Sequence, residues 1–373
     1  MKIVFDARWI KAQSSGIGVY AREIMRRLPA LAPGYEVVFL TREMFAHGPM
    51  SWKSQLLLPG YLDRIGADVF HSPNYMVPYL WRGKIVANIH DVIPLAVGGY
   101  APKSLTSRLK WLYKWCLKMT VRRASAVVTV SMSARDDLVR VLGLKGGEVE
   151  KIKVVYNGAD VGIEQNREIA KLRNRGICDG GENDRRGCLS YIDRPVACRT
   201  LLYVGRMDPY KNVPGLVCAF ADAKKRVAFP LKLVIAGSHD PRYPDARAEA
   251  ERLGVAEDVV FTGHVSDTEL AALYRESDLL THFSSYEGFG LPIVEAMRAG
   301  LPVICTDGGS QPEVAGGAAE VVKAGDESAM TGAMVDLLND PARMDKMREA
   351  GYARAGFFTW DKCAAETVKL FNS

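Results

Sequence analysis

The chain has 373 residues, 48% of them hydrophobic, and a net charge of +6. That is enough apolar material for two ordinary cores. No apolar run reaches the roughly eighteen residues of a membrane span, and Met1 leads straight into a strand-like Lys2-Ile-Val-Phe5, so a cytoplasmic protein without a signal peptide is expected. The seven cysteines, an odd number, imply free thiols, and Cys178, Cys188 and Cys198 lack the close pairing of a zinc site.

Strand patterns occur at Lys2–Phe5, Glu36–Leu40, Val69–His71, Ile85–Ile89, Ala126–Val130 and Lys153–Tyr156, separated by helical stretches. A glycine turn is expected at Gly16-Ile-Gly18-Val-Tyr20, about ten residues beyond Phe5. From Lys103 to Arg123 there are seven cations and no acid, interleaved with Trp111, Tyr113 and Trp115. Helical spacing aligns Leu105, Leu109, Leu112, Cys116 and Met119 in an apolar stripe and Lys110, Lys114, Lys118 and Arg122 in a basic line. Two readings fit this segment: a helix packed on its domain with a solvated cationic side, or peripheral contact with an anionic membrane through 103–123. Nucleic acid is not expected, because the cations do not extend into a recognised binding motif.

The stretch 162–199 is rich in charge and glycine, with a short helical pattern at 164–173, and reads as a linker or insertion. Strand patterns resume at Leu201 and continue at Leu231–Ala236, Val259–Thr262, Leu279–Phe283, Val303–Thr306 and Ala319–Val322. Strand and helix alternate throughout, so the expected fold class is α/β, with two Rossmann-like domains of parallel sheet facing across a cleft. The expected boundaries are 1–161, with the carboxyl-terminal helix 357–373 joined to it, and 200–356.

Chemistry concentrates in the second half. In Glu287-Gly-Phe-Gly-Leu-Pro-Ile-Val-Glu295, Pro292 sits near a first helical position, so Gly288, Phe289, Gly290 and Leu291 form a loop at a helix amino terminus with Glu295 about one turn inside. Two carboxylates so placed can accept hydrogen bonds from hydroxyls on two parts of one ligand. Arg206 and Lys211 follow the strand that ends in Gly205, and two cations there suit a diphosphate where no metal neutralises it. Gly237 and the segment Thr262-Gly-His264-Val265 close two further strand ends on the same crevice.

Taken in order, these segments resemble the retaining glycosyltransferases of family 4. The likeness is strongest from Thr262-Gly-His through Ser284–Gly300 to Pro302-Val-Ile-Cys-Thr-Asp307 and Pro312-Glu-Val-Ala-Gly316. Phe5-Asp-Ala-Arg8, Gly16-Ile-Gly-Val-Tyr20, Asp68–Tyr75 and His90-Asp-Val-Ile-Pro94 bring it closer to bacterial mannosyltransferase-type members. The resemblance implies the GT-B fold, a nucleoside diphosphate sugar as donor substrate, no cofactor and no metal. It also implies that the terminal helix, entered through Phe358-Thr-Trp360, crosses back to the first domain.

By the same resemblance Arg206 and Lys211 clamp the diphosphate, Glu287 and the 288–291 backbone hold sugar hydroxyls, and Glu295 holds the ribose. His90 is expected to face the transferred sugar from the end of Ile85–Ile89; the alternative is a ring satisfied by Asp91 or a backbone carbonyl. His71 and Asp6 are weaker candidates, shaping loops rather than doing chemistry. Gly16, Gly18, Gly237 and Val265 are expected on the donor side. The resemblance favours mannose from GDP-mannose and a saccharide or polyprenyl-linked acceptor. A rival oxidoreductase reading needs the first glycine directly after the first strand, which Gly16 is not. A non-hydrolysing sugar-nucleotide epimerase of the same architecture and a catalytically silent carbohydrate-binding protein stay open.

Overall fold

The computed structural model describes residues 1–10, 16–98, 103, 105–159, 198–243 and 246–372. The described residues divide into two compact units, the first running to residue 158 and regaining the chain from Phe358, the second spanning residues 159–357. The helical pattern at 164–173, Cys178 and Cys188 lie outside the described residues. No helix among them is long and apolar enough to cross a membrane.

The first unit holds β1 (Lys2–Asp6), β2 (Glu36–Leu40), β3 (Val69–Ser72), β4 (Lys84–Asn88), β5 (Ala126–Thr129) and β6 (Ile152–Val154) in one parallel sheet. The order is β2-β1-β3-β4-β5-β6. β3 and β5 are buried from end to end, as expected where helices cover both faces. The chain leaves β1 in one direction to form β2 and returns on its other side as β3, so the sheet has its switch point between β1 and β3.

The second unit repeats the plan with β7 (Arg199–Val204), β8 (Leu231–Ala236), β9 (Val259–Gly263), β10 (Leu279–His282), β11 (Val303–Thr306) and β12 (Glu320–Val322). Its order β12-β11-β10-β7-β8-β9 puts the switch point between β7 and β10. Crevices outside the carboxyl ends of strands at such a point are the usual ligand sites of open parallel sheets.

Three expectations need correction. Gly16–Tyr20 is not a turn but the start of a helix, Gly16–Leu31, in which Tyr20 and Ile24 are buried. The basic segment breaks at Leu109, whose φ of −115° and ψ of 43° separate Leu105–Arg108 from Lys110–Arg123. Its buried face is Tyr113, Leu117, Thr120 and Val121, one position off the expected stripe. Thr120 can be buried because its Oγ1 donates to Tyr75 O at 2.6 Å, which a count of apolar residues cannot detect. β7 also begins at Arg199, two residues before Leu201, because Arg199 and Thr200 pair with Leu231 and Lys232.

The carboxyl-terminal helix is Trp360–Lys369, capped by Thr359 Oγ1 accepting from Lys362 N at 3.2 Å. It belongs to the first unit. Arg27 Nε donates to Asp361 at 2.6 Å, and a Cβ on Gly158 would lie 2.1 Å from Trp360 N, so only glycine admits this approach. At the end of β1, buried Asp6 receives Arg8 Nε and Nη2 at 2.7 Å each, while Arg8 Nη1 donates to His47 O at 2.9 Å and Ser54 Oγ at 2.8 Å. One buried guanidinium thus ties β1 to the Trp52–Arg64 helix. Asp6→Ala would leave that cation unpaired, and urea unfolding should report a loss of about 3–5 kcal/mol. A loss below about 1 kcal/mol would mean that the freed cation reaches water at little cost.

Candidate functional site

In the second unit the strands around the switch point end in a tightly drawn set of loops. Gly205 N donates to Ala236 O at 2.9 Å, Gly237 N to Gly263 O at 2.9 Å and Met207 N to Ser238 O at 3.1 Å. Gly237 has φ +154°, and a Cβ there would sit 1.9 Å from Gly205 O. Glycine is therefore required at that strand end for the two loops to approach each other.

Beyond Gly205, the chain carries Arg206 and then a short 3-10 turn, Pro209–Lys211. Lys211 is drawn inward: its Nζ lies 2.5 Å from Glu287 Oε1. His282, the last residue of β10, places Nε2 2.7 Å from the same oxygen, with Tyr203 stacked on its ring at 6.1 Å. The carboxylate accepts, so His282 Nε2 carries the proton; its buried Nδ1 has no hydrogen-bond partner among the described residues. Burial alone would raise the Glu287 pKa, but Lys211 and His282 outweigh it and hold the carboxyl far below the usual range. Burial would likewise lower the Lys211 pKa, and Glu287 reverses this so that the ammonium is held above its ordinary value.

The Glu287 backbone is fixed from the other side. Its carbonyl accepts from Ser310 N and Ser310 Oγ, both at 3.0 Å, and its N–H donates to Gly308 O at 3.3 Å. Gln311 Nε2 donates to Ser284 O and Gly308 O at 3.0 Å each. Gly290, at φ +87°, then caps the helix Leu291–Arg298, with Pro292 in its first turn, as the motif implied. Glu295 lies one turn in, and its Oε2 accepts from the buried Tyr274 hydroxyl at 2.7 Å. Burial pushes the Glu295 carboxyl up to about 7; the Tyr274 hydrogen bond opposes the rise and Asp267 adds to it.

The expected residues are thus gathered unevenly. Lys211, Glu287 and the 288–291 loop form one connected group. Arg206 stays 63% exposed and turns to Asp208 at 3.1 Å, with Asp240 at 4.0 Å, whereas Lys211 turns to Glu287. Val265 is half-buried beside Ser266, which caps the Asp267–Glu276 helix. In the first unit, His90 Nε2 donates to Pro73 O at 2.9 Å, and its ring meets Tyr20 edge-on at 5.2 Å. The backbone-carbonyl alternative therefore describes that nitrogen. Burial lowers the His90 pKa to about 4, so the ring is neutral at neutral pH. His71 is buried against Asn88, with Nε2 2.9 Å from Oδ1, and is also lowered to about 4 by burial. Gly16 and Gly18 occupy the first turn of their helix.

Sequence reasoning missed His282 and Tyr274. His282 had a signal, since it ends β10, a strand that flanks the switch point. Tyr274 had none: it sits within a helix and reaches Glu295 across 21 residues of sequence.

A family model described as Glycosyltransferase Family 4 matches residues 14–162, and one described as Glycosyl transferases group 1 matches residues 194–354. The chain is 25% identical to the O-antigen chain mannosyltransferase B of Escherichia coli over 405 residues, covering all of both chains. Among solved structures, sucrose-phosphate synthase from Thermosynechococcus elongatus superposes with a TM-score of 0.74 at 20% identity, covering 100% of this chain and 98% of the other. HepE of Anabaena, solved in complex with UDP-glucose, gives a TM-score of 0.69 at 19% identity and covers 99% of each chain. Two six-stranded parallel sheets with these likenesses make a GT-B fold. The chain is a glycosyltransferase, belonging to the family whose members join a family 4 domain to a group 1 domain.

Proposed function

We propose that the protein transfers a hexose, with retention of configuration and without a metal, from a nucleoside diphosphate sugar to a saccharide or polyprenyl-linked acceptor in bacterial surface polysaccharide synthesis. The observation that carries this reading is the buried group of Lys211, Glu287 and His282 at the switch point, with Arg206 on the same loop as Lys211. Lys211 Nζ has three donors, and Glu287 engages one. The others suit a phosphate oxygen, and the positive charge already fixed there stabilises the diphosphate as it leaves. Arg206 is exposed and its side chain turns to carboxylates, so a diphosphate can replace Asp208 as its partner. Glu287 and the 288–291 backbone hold the sugar hydroxyls, and Glu295 the ribose. In the retaining reading, acceptor attack and leaving-group departure share one face of the sugar, and the donor phosphate helps to take the acceptor proton.

Mannose from GDP-mannose is the donor we favour, because the relative matched over its whole length carries mannosyltransferase in its name. HepE, by contrast, was solved with UDP-glucose, so a panel of nucleoside diphosphates in thermal shift discriminates the bases. The same reading places the protein in the cytoplasm, in peripheral contact with an anionic membrane through 103–123, where Trp111 and Trp115 are 70% and 51% exposed.

Arg206→Ala and Lys211→Ala should each lower transfer by about a hundredfold or more, while EDTA leaves wild-type activity in place. Their stabilities should separate them. Arg206→Ala, at an exposed side chain, should change unfolding free energy by less than about 0.5 kcal/mol. Lys211→Ala strands a buried carboxylate and should cost about 3–5 kcal/mol. Full activity in both variants, or abolition by EDTA, rejects the clamp.

The glutamates should part in calorimetry. Glu295→Ala should weaken free nucleoside diphosphate, whereas Glu287→Ala should mainly impair sugar-dependent steps. Ribose hydroxyls donate to a carboxylate, and Glu295 ionises near pH 7. Wild-type affinity should therefore rise as pH climbs through about 7, with proton release on binding, and Glu295→Gln should flatten that rise. Affinity that falls with pH, or a reversed order of the two variants, means the assignment is backwards.

A further inference from the structure

Outside the site, the first unit leaves several large apolar side chains in solvent: Met50, Trp52, Leu56, Leu80, Trp111 and Trp115 are 51–70% exposed. Trp52 and Leu56 are four apart on the Trp52–Arg64 helix, and Trp111 and Trp115 are four apart on Lys110–Arg123, so each helix turns one stripe outward. The two stripes are joined by the connection after β3. Tyr75 places its hydroxyl 3.9 Å from Met50 Sδ and its ring 5.1 Å from Tyr113. Tyr79 N donates to Gln55 Oε1 at 3.3 Å, its hydroxyl lies 3.2 Å from Thr120 Oγ1, and its ring meets Trp115 at 6.3 Å. Leu80 follows directly. The six side chains therefore lie along connected elements of one unit.

Charge singles this surface out. The chain has 43 acids, yet none falls in 44–62, 74–82 or 103–123, while Lys53, Arg82, Lys110 and Lys114 stand exposed among the apolar side chains. Interleaved lysines argue against a protein partner, since the cores of such interfaces are depleted of lysine. Tryptophans that sit at headgroup depth, beside cations whose stems lie along apolar surface, suit the boundary of an anionic bilayer.

Resting on the peripheral-contact reading above, we propose that the first unit docks on anionic lipid through two helices at once, with Trp52, Leu56 and Leu80 entering the interface alongside Trp111 and Trp115. The helices are held as a rigid pair. Arg8 pins Ser54, Leu58 and Leu62 are buried under the first helix, and Tyr113 and Leu117 under the second. Two anchors on one rigid body fix its orientation on the surface, which a single helix leaves free to roll.

The test is co-sedimentation of the full chain with vesicles of phosphatidylglycerol and phosphatidylcholine, against phosphatidylcholine alone, at low and high salt. Wild type should pellet with the anionic vesicles only, and less at 1 M salt, where the Debye length is about 3 Å. Lys110→Ala with Lys114→Ala and Lys118→Ala should weaken binding more than about tenfold. Trp52→Ser with Leu56→Ser should weaken it by about tenfold with melting temperature unchanged. Leu80→Glu repeats the test outside any helix. Wild type left in the supernatant overturns both this proposal and the reading it rests on. Loss in the lysine variant, with Trp52→Ser/Leu56→Ser and Leu80→Glu binding normally, overturns the second anchor alone. A dimer in sedimentation that Trp52→Ser/Leu56→Ser dissociates, without vesicle binding, assigns the surface to a second copy and rejects lipid.

Discussion

A carboxylate taken out of water must find fixed positive charge or give up its own, and Glu287 keeps its charge by drawing Lys211 and His282 onto one oxygen. Those two partners come from opposite sides of the switch point, one from the turn after β7 and one from the end of β10. The loop that carries Lys211 and the loop that carries Glu287 are therefore positioned by each other. Ser310 and Gln311 tie in the segment after β11 through backbone carbonyls, so three loops are set by contacts within the protein. Preorganisation of this kind is what an electrostatic site needs, since its dipoles need not be rearranged when charge develops.

The two glutamates of the motif show how far environment separates identical side chains. Eight residues apart, Glu287 is held well below the ordinary carboxyl range by a cation and an imidazole, while Glu295 is pushed up to about 7 by burial, with a neutral phenol as its hydrogen-bond donor. One carboxylate is charged under all ordinary conditions; the other changes charge near neutrality. Such a split is the usual mark of divided roles.

The strands were largely legible in the sequence, because parallel strands buried on both faces read as short apolar runs between helical stretches. Glu36–Leu40, Leu231–Ala236 and Val303–Thr306 match residue for residue. The glycine loop, Pro292 in the first helical turn and Glu295 one turn in were legible for a local reason: all are set by one helix start. What escaped is non-local. Lys211 and Glu287 are 76 residues apart, and nothing in Pro209–Lys211 says that its lysine turns inward while Arg206 remains in solvent. The buried face of Lys110–Arg123 escaped for a different reason: it uses Tyr113 and Thr120, polar residues whose burial depends on partners in the 75–79 connection.

That same connection relates the first unit's interior to its surface. Pro73 O fixes His90 at the end of β4, and a few residues later Tyr75 and Tyr79 brace the outward-facing helix against Met50 and Gln55. Because Thr120 and Tyr79 bond to each other and Thr120 Oγ1 also donates to Tyr75 O, a tilt of the exposed helix strains bonds in the segment that carries Pro73. His90 and the exposed helix are thus both held by the 73–79 connection, although the helix itself contributes no side chain to the histidine.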